Sequence, residues 1–271
     1  MMPELPEVET VRRSLAPFLA GVSIRTVTVR EPRLRRTLAA DFAKMLTGRT
    51  IAQLGRRGKY LYLHLDNGKI WLVHLGMTGQ LLVEEMGHPP LPHDHVLVTL
   101  STGQRLRYND PRRFGLMLVG TEAEIETVTA LGVEPLGRMF TSRYLREKIC
   151  RTQRTIKDVL MDQRVVAGIG NIYASELLFR AGVQPSRVAA TLPDTAIDQI
   201  VEATKAVLRE AIRHRGSSIS DYRDGEGKRG GFQDRFRVYD REGHPCYECQ
   251  KFIQRETRGG RSSFFCVACQ R

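Results

Sequence analysis

The chain has 271 residues, of which 41% are hydrophobic, and its 42 lysines and arginines against 30 aspartates and glutamates give a formal net charge of +12. This length accommodates one or two domains, and no apolar run approaches the roughly 20 residues of a membrane-spanning helix. The N-terminus lacks the apolar segment of a secretory signal, so we expect a cytoplasmic protein. The basic residues are spread along the chain. They favour a polyanionic partner such as nucleic acid, with a merely basic protein as the alternative.

The first ten residues, MMPELPEVET, make a poor core segment, and a disordered tail is their simplest interpretation. Residues 6–21 nevertheless predict a helix, because Glu7 and Glu9 fall in its first turn and Gly21 can end it. One stripe of this helix is apolar and should face a core: Val8, Val11, Leu15, Phe18 and Leu19.

From about residue 22 to residue 120 the apolar residues alternate with a period of two. Hairpin turns are predicted at Asn67-Gly68 and at Thr102-Gly103, each between two alternating segments. Several antiparallel strands in succession are typical of a β-sandwich or barrel. This pattern predicts a first domain made of strands, flanked by the N-terminal helix.

After residue 130 the pattern becomes helical. Residues 155–163 and 171–182 predict short helices, and a longer helix follows Pro193. The segment 217–233, SSISDYRDGEGKRGGFQ, has no period and many glycines, so we expect a mobile loop. The two parts of the chain together predict an α+β protein.

A glycine turn, Gly168-Ile169-Gly170-Asn171, precedes the second short helix. Backbone N–H groups at a helix start can bind an anion, and Lys157 in the preceding helix favours phosphate; a tight turn without a ligand is the alternative. A dinucleotide fingerprint fails, because Tyr173 stands where the third glycine belongs. We therefore expect no nucleotide cofactor.

Four cysteines form two pairs near the C-terminus, Cys246-x2-Cys249 and Cys266-x2-Cys269, separated by 16 residues. Two such pairs on a hairpin match the tetrahedral geometry of a closed zinc site, which predicts one structural Zn²⁺. Four protein ligands leave no open position for a substrate. The segment between the pairs carries several arginines and two glycines, and it is either a phosphate-binding tip or a solvated turn.

Two further turns combine apolar and basic residues, HLGMTG with Met77 and NDPRRFG with Arg112 and Phe114. Each alone is more often part of a core than of a site. Together they could form a wedge that fills the hole left when a base is turned out of its helix.

Seven motifs in this order carry a resemblance to a known family: PELPEVET, GRRGKYL, HLGMTG, PHDH, NDPRRFG, GIGNIYASE and the four-cysteine hairpin. They closely resemble the Fpg–Nei family of base-excision DNA glycosylases, and PELPEV resembles its oxidised-purine branch. The likeness runs from Pro3 to Arg271. It implies a bifunctional DNA glycosylase and AP lyase that flips out and excises 8-oxoguanine and formamidopyrimidines from duplex DNA, and then cleaves the strand by β,δ-elimination.

The resemblance also implies the domains, with DNA held in the cleft between them and the protein acting as a monomer. We expect a catalytic N-terminal antiparallel β-sandwich at 1–130, a hinge at 131–150, a helix–two-turn–helix domain with a lesion-pocket loop at 151–240, and a β-hairpin zinc finger at 241–271. Localisation at the nucleoid would follow from DNA binding.

Motif by motif, the resemblance assigns four catalytic residues. Pro3 corresponds to the nucleophile that attacks C1′, Glu4 to the acid/base, Lys59 to the proton donor in β-elimination and Arg261 to the residue that assists δ-elimination. An α-amine has a pKa near about 8 and is partly neutral at pH 7, unlike a lysine near about 10.4. A secondary amine gives an iminium directly, so the proline explains the unusual N-terminus better than a disordered tail.

The same comparison assigns DNA contacts. His93, Arg112 and Asn171 match contacting positions, and Met77, Arg112 and Phe114 match a void-filling triad. Lys157, Arg154 and Arg151 are further candidates for phosphate contacts, the two arginines with uncertain register. Glu7 resembles a carboxylate near the lesion pocket, although a favourable charge at a helix start explains it almost as well.

A nucleophilic Pro3 requires a free terminal nitrogen, because an amide nitrogen does not attack C1′. We therefore expect translation to start at Met2 and Met2 to be removed, with Met1 an artefact. Three alternatives stay open: a glycosylase that prefers oxidised pyrimidines, a non-catalytic protein that binds damaged DNA, and a silenced paralogue.

Overall fold

The computed structural model describes residues 2–219 and 222–271, so the expectation about Met1 lies outside the described residues. Two compact units make up the chain. The first comprises Met1–Ala130 with His214–Gly231, and the second comprises Leu131–Arg213 with Phe232–Arg271. No helix in the described part of the chain is both long and apolar enough to cross a membrane.

The first unit consists of one long helix, an antiparallel sheet and two short helices. In chain order its elements are α1 (Leu5–Leu19), β1 (Val22–Val29), α2 (Phe42–Leu46), β2 (Thr50–Arg57), β3 (Tyr60–Leu65), β4 (Ile70–His74), β5 (Gln80–Glu85), β6 (Asp94–Leu100), β7 (Gln104–Asn109), β8 (Leu116–Gly120) and α3 (Glu122–Thr129). Both hairpins predicted from Asn-Gly and Thr-Gly are present, as β3–β4 and β6–β7.

The strands of this unit form a continuous sheet in the order β5-β7-β6-β1-β2-β3-β4-β8. Strand β1 joins its two halves, because Val22 and Ser23 pair with β2 whereas residues 24–29 pair with β6. One core cluster contains side chains from both halves, among them Trp71 of β4 and Tyr108 of β7. The halves therefore pack face to face, as expected of a β-sandwich.

Helix α1 covers this core with the stripe that the sequence predicts. Val8, Val11, Leu15 and Leu19 are each at most 1% exposed, and Phe18 packs at the edge of the same cluster. Fully burying a side chain of this kind contributes about 1.5–3 kcal/mol relative to leaving it exposed. The apolar stripe thereby fixes the position of the helix that begins next to Glu4.

A buried carboxylate ties α1 to the β2–β3 hairpin. Glu9 accepts hydrogen bonds from Arg12 Nη2 at 2.8 Å and Arg13 Nε at 2.7 Å, and from Arg56 Nε of β2 at 3.2 Å. Arg56 Nη1 in turn donates to the carbonyl oxygen of Gly58 at 3.1 Å, the residue before Lys59. The turn that carries Lys59 is thus anchored to α1.

The contacts of the glycine-rich segment 214–231 place it in the first unit. Gly225 N–H donates to Ser14 Oγ of α1 at 2.8 Å, and its carbonyl accepts from Val83 N–H of β5 at 3.0 Å. A Cβ on Gly225 would overlap Leu15, so this glycine serves close packing. Sequence reasoning predicts a mobile loop over 217–233 within a domain at 151–240. In the structure, Ser217 and Gly225 of this segment bond to α1, and Gly225 bonds to β5 as well. The described residues up to Gly231 belong to the first unit and Phe232 and Gln233 to the second, whereas Ser220 and Asp221 lie outside the described residues.

The second unit is helical and ends in a hairpin. Its elements are α4 (Ser142–Ile149), α5 (Ile156–Met161), α6 (Asn171–Arg180), α7 (Asp194–Arg213), β9 (Gln254–Arg258) and β10 (Arg261–Phe265). The segment 131–150, predicted as a hinge, contains α4. That helix is capped by the Thr141 hydroxyl, which accepts from Tyr144 N–H at 3.1 Å, and it buries Leu145 and Ile149.

A second buried carboxylate holds the segment before the hairpin. Glu176 of α6 is 3% exposed and accepts hydrogen bonds from three successive backbone N–H groups, those of Arg237, Val238 and Tyr239, at 2.8–3.0 Å. Burial raises the pKa of Glu176, while these hydrogen bonds oppose the shift. Residues 237–239 are therefore fixed to α6 although they form no regular element.

We predict that Glu9→Gln lowers the free energy of unfolding by about 1–3 kcal/mol at neutral pH, because three guanidinium groups lose a charged acceptor. Burial would raise the pKa of Glu9, but hydrogen bonds from Arg12 and Arg13 and the nearby charges lower it from 4.5 to about 2. The carboxylate therefore stabilises the fold fully above pH 4.5, and this stabilisation disappears as the pH falls towards about 2.

Urea unfolding of wild type and Glu9→Gln across this pH range measures the difference. Glu31→Gln is the control, since the Arg33 partner of Glu31 is largely exposed and such pairs contribute little. A gap between wild type and Glu9→Gln that stayed constant well below pH 4.5 would contradict the prediction.

Candidate functional site

The predicted nucleophile and acid lie at the start of α1 in packed structure. Pro3 is buried and Glu4 is 2% exposed. Glu7 Oε2 accepts a hydrogen bond from Glu4 N–H at 2.9 Å, and its Oε1 accepts from Ser217 N–H at 2.7 Å. Glu7 thus connects the helix start to the glycine-rich segment. The disordered-tail interpretation does not hold from Pro3 onwards.

Lys59 lies in the β2–β3 turn, next to the end of β4. Gly58 has a φ of 55°, the left-handed conformation that the turn needs, and Lys59 is half-buried. His74 is 5% exposed, and its burial, with the charges of Lys59 and Arg35, lowers its pKa to about 3. The imidazole is therefore neutral, and its Nδ1 accepts from Gly76 N–H at 3.1 Å. The HLGMTG turn thus begins beside the lysine.

The structure brings the predicted wedge residues together. Arg112 and Phe114 are exposed on the turn after β7, with Arg112 Cζ 4.6 Å from the centroid of the Phe114 ring. Met77 is half-buried on the turn after β4, and a Cβ on neighbouring Gly76 would overlap the backbone of Phe114. Only glycine therefore allows the two turns to approach this closely. His93, also exposed, precedes β6 with a φ of 67°.

In the second unit, Lys157 and Asn171 both hold the terminal hairpin. Lys157 is 4% exposed, and its Nζ donates to the carbonyl oxygen of Ser262 and to Ser263 Oγ, both at 2.8 Å. Asn171 Nδ2 donates to the same Ser262 carbonyl at 3.0 Å. Strand β10 is thereby fixed to α5 and α6. Arg261, at the start of β10, is exposed.

The two candidate arginines near α5 differ. Arg154 Nη1 donates to Asp162 Oδ2 and its Nη2 to the carbonyl oxygen of Asp158, both at 2.8 Å, so its guanidinium is engaged with α5 and the residue that follows it. Arg151 is exposed. A phosphate contact by either arginine, or by Lys157, stays a prediction.

The four cysteines form a cluster whose sulfur atoms all lie within 4.8 Å of one another. The Sγ atoms of Cys246 and Cys269 are 3.9 Å apart, and those of Cys249 and Cys266 are 3.4 Å apart. A tetrahedral ion with metal–sulfur bonds of about 2.3 Å separates its sulfur ligands by about 3.8 Å. These four residues therefore fit a closed, four-coordinate metal site.

Sequence reasoning missed the buried carboxylates that position these segments. Asp110 is 0% exposed, Glu9 is 8% exposed, and Glu176 is 3% exposed. One signal was available for Asp110, since an aspartate directly after a strand and before a proline often bonds the backbone of its own turn. Nothing in the pattern around Glu176 marks it, because its partners lie more than sixty positions further along the chain.

Comparisons with known proteins agree over the full chain. The family model described as the formamidopyrimidine-DNA glycosylase N-terminal domain matches residues 2–117, and that of the formamidopyrimidine-DNA glycosylase H2TH domain matches residues 131–223. The formamidopyrimidine-DNA glycosylase of Azorhizobium caulinodans is 45% identical over 100% of both chains. The resemblance inferred from the seven motifs is confirmed.

Two solved structures from Lactococcus lactis share the fold. An FPG mutant in complex with a Fapy-dG containing DNA is 33% identical, with a TM-score of 0.92, and the match covers 99% of this chain and 100% of that one. The complex of Fpg with an abasic site containing DNA is also 33% identical, with a TM-score of 0.91 and 99% coverage of both chains. The predicted α+β fold is confirmed by this likeness.

We predict that Lys157→Met loosens the terminal hairpin, because the carbonyl of Ser262 and the hydroxyl of Ser263 lose a charged donor. Hydrogen–deuterium exchange of residues 261–265 should accelerate, while exchange in β3 and β4 of the first unit stays unchanged. Lys44→Met, at an exposed position of α2, is the matched control. Wild-type protection of β10 in Lys157→Met would contradict this role.

Proposed function

Because the chain belongs to the formamidopyrimidine-DNA glycosylase family, we propose that it excises oxidised purines, such as formamidopyrimidines and 8-oxoguanine, from duplex DNA and then cleaves the strand as an AP lyase. The observation that carries this proposal is the start of α1, where Pro3 and Glu4 are buried in ordered structure. The two Lactococcus lactis structures support the substrate class, since they contain Fapy-dG and abasic-site DNA.

The proposed chemistry begins at the Pro3 nitrogen. Its lone pair forms a bond to C1′ as the N-glycosidic bond breaks, and the base leaves with the electron pair of that broken bond and is protonated. The attacking nitrogen releases its own proton, so that its lone pair is available again for the next step. Glu4 transfers a proton to the ring oxygen of the sugar, which opens the ring and lets the secondary amine form a charged iminium. The iminium acidifies C2′, so loss of a proton there expels the 3′ phosphate. Lys59 and Arg261 assist the β- and δ-eliminations.

Recognition of the lesion is proposed to use the two turns of the first unit that carry Met77 and Arg112. Arg112, Phe114 and Met77 fill the gap left in the helix when the damaged nucleotide is everted, and His93 contacts the DNA. Asn171, Lys157 and Arg154 contribute contacts from the second unit. The net charge of +12 supplies the sequence-independent attraction to the phosphate backbone.

The four-cysteine cluster is proposed to hold one structural Zn²⁺. Four thiolates match the ligand set of closed zinc sites, and with no open position the ion acts by folding the hairpin that presents Arg261. We also propose a monomer without a nucleotide cofactor that acts in the cytoplasm, and its localisation at the nucleoid would follow from DNA binding.

Two other functions share most of these features. A glycosylase that prefers oxidised pyrimidines would use the same amine chemistry, and lesion competition between 8-oxoguanine and thymine glycol distinguishes it. A non-catalytic damaged-DNA-binding protein has no use for Pro3 and Glu4, and it would give no covalent adduct.

The decisive experiment is incubation with a duplex that contains 8-oxoguanine opposite cytosine, with borohydride present. We expect a trapped protein–DNA adduct, and mass spectrometry should place it on a chain that begins at Pro3. Glu4→Gln should bind the lesion duplex but release base at least about a hundredfold more slowly, since general acid–base catalysis contributes about that much. Glu122→Gln, at an exposed position of α3, is the control. A normal adduct on protein that keeps both methionines would remove Pro3 as the nucleophile.

Zinc should be present at one equivalent per chain. Cys249→Ser should release it and weaken lesion-DNA binding, because the hairpin has too little apolar core to fold without metal. Cys150→Ser should change neither quantity, since Cys150 is exposed and outside the cluster. Elemental analysis and binding titration measure both, and full affinity in zinc-free protein would contradict the assignment.

Arg112→Ala should slow excision of 8-oxoguanine far more than it weakens binding to undamaged duplex, because undamaged DNA is mostly not everted. Arg113→Ala is the matched control, since Arg113 lies on the same exposed turn and pairs with Glu31. Single-turnover excision and equilibrium binding give the two quantities. Equal losses on both DNAs would make Arg112 an ordinary phosphate contact.

A further inference from the structure

Three separate segments of the first unit carry predicted DNA contacts. They are the turn with Met77, the turn with Arg112 and Phe114, and the segment with His93 that leads into β6. All three meet at Asp110, whose side chain is 0% exposed. A buried carboxylate is costly unless donors surround it, so its contacts indicate what it stabilises.

The side chain of Asp110 connects the two wedge turns. Its Oδ1 accepts from Thr78 Oγ1 at 2.6 Å, directly after Met77. Its Oδ2 accepts from Gly115 N–H at 2.8 Å, directly after Phe114, and from the Tyr108 hydroxyl at 3.0 Å. The Thr78 hydroxyl also accepts from Arg112 N–H at 3.3 Å, which adds a second link between the turns.

The backbone of Asp110 connects the third segment. Its N–H donates to the carbonyl oxygen of His93 at 3.1 Å, and its carbonyl accepts from His95 Nε2 at 2.8 Å and from Arg113 N–H at 3.1 Å. His93 has a positive φ, a conformation that a non-glycine residue keeps only where its surroundings enforce it.

We infer that Asp110 is a positioning residue that holds Met77, Arg112 and Phe114 as one preassembled wedge, with His93 in fixed register beside it. This inference rests on the void-filling role proposed above for those three residues. A wedge that enters the base stack must keep its shape, and groups that are rigid before binding avoid the ordering cost of insertion. Asp110 provides that rigidity without touching DNA.

The test compares Asp110→Asn with wild type. The amide keeps the size of the side chain but places an NH₂ group against Thr78, or against Gly115 N–H and Tyr108, so at least one donor loses its acceptor. We expect single-turnover excision of 8-oxoguanine to fall at least about tenfold, the loss that one unsatisfied buried donor corresponds to. Affinity for undamaged duplex should change less than about threefold, because it comes from phosphate contacts.

A second readout reports the wedge directly. 2-Aminopurine placed beside the lesion brightens when it is unstacked, and we expect a smaller and slower rise with Asp110→Asn. Thr78→Val removes one link while keeping side-chain shape, so it should show an intermediate loss of both excision and fluorescence even if Asp110→Asn folds poorly. Thr102→Val, at the exposed β6–β7 turn, is the control and should behave as wild type.

The outcomes separate this inference from the proposed function. Wild-type fluorescence and excision in both Asp110→Asn and Thr78→Val would overturn it, as would a fall in excision with an unchanged fluorescence rise. If Met77→Ala and Arg112→Ala themselves excised 8-oxoguanine normally, the void-filling assignment would fail instead. No excision by wild type would defeat the proposed glycosylase activity itself.

Discussion

A carboxylate that is buried among hydrogen-bond donors fixes the position of whatever supplies those donors, and irregular segments of this chain depend on that interaction. Glu9 accepts hydrogen bonds from three guanidinium groups. One of them, that of Arg56, also bonds the carbonyl of Gly58 in the turn before Lys59. Asp110 likewise accepts hydrogen bonds from the turns that carry Met77 and Arg112, and Glu176 from residues 237–239. Each acid lies on or next to a regular element. Hydrogen bonds to these acids thus hold the loops in fixed positions against helices and strands.

Sequence pattern predicts the elements whose formation is local. The Asn67-Gly68 and Thr102-Gly103 turns, the stripe of α1 and the spacing of the four cysteines all depend on neighbours in the chain, and the structure contains each of them. The segment 217–233 could not be predicted in the same way. A glycine either permits motion or permits close approach, and only the position of Leu15 shows that Gly225 does the second.

In the candidate site, too, the sequence predicts which residues take part but not the distant partners that position them. Residue type and order sufficed to nominate Lys157, Asn171 and Arg261, because cations and amides recur wherever phosphate is bound. The contacts of Lys157 and Asn171 depend on the carbonyl of Ser262, which lies 91 positions after Asn171. Long-range pairing of that kind leaves no trace in a single sequence. Glu176 was missed for this reason, and so were the bonds of Glu9 to Arg56 and of Asp110 to Thr78. The other partners of Glu9 and Asp110 are local, but they do not show that these acids hold separate segments together.

Strand β1 has a consequence for how the first unit comes apart. The first two residues of β1 pair with β2 and the remainder pair with β6. The two halves of the sheet therefore cannot separate unless β1 loses its pairing with one of them. Partial opening would expose unpaired edges on both sides of a shared core. The unit should therefore unfold in a single cooperative step, and amide hydrogens in the middle of β1 should exchange only when the whole sheet unfolds. Damage to one face would then remove the entire unit rather than leave half of it folded.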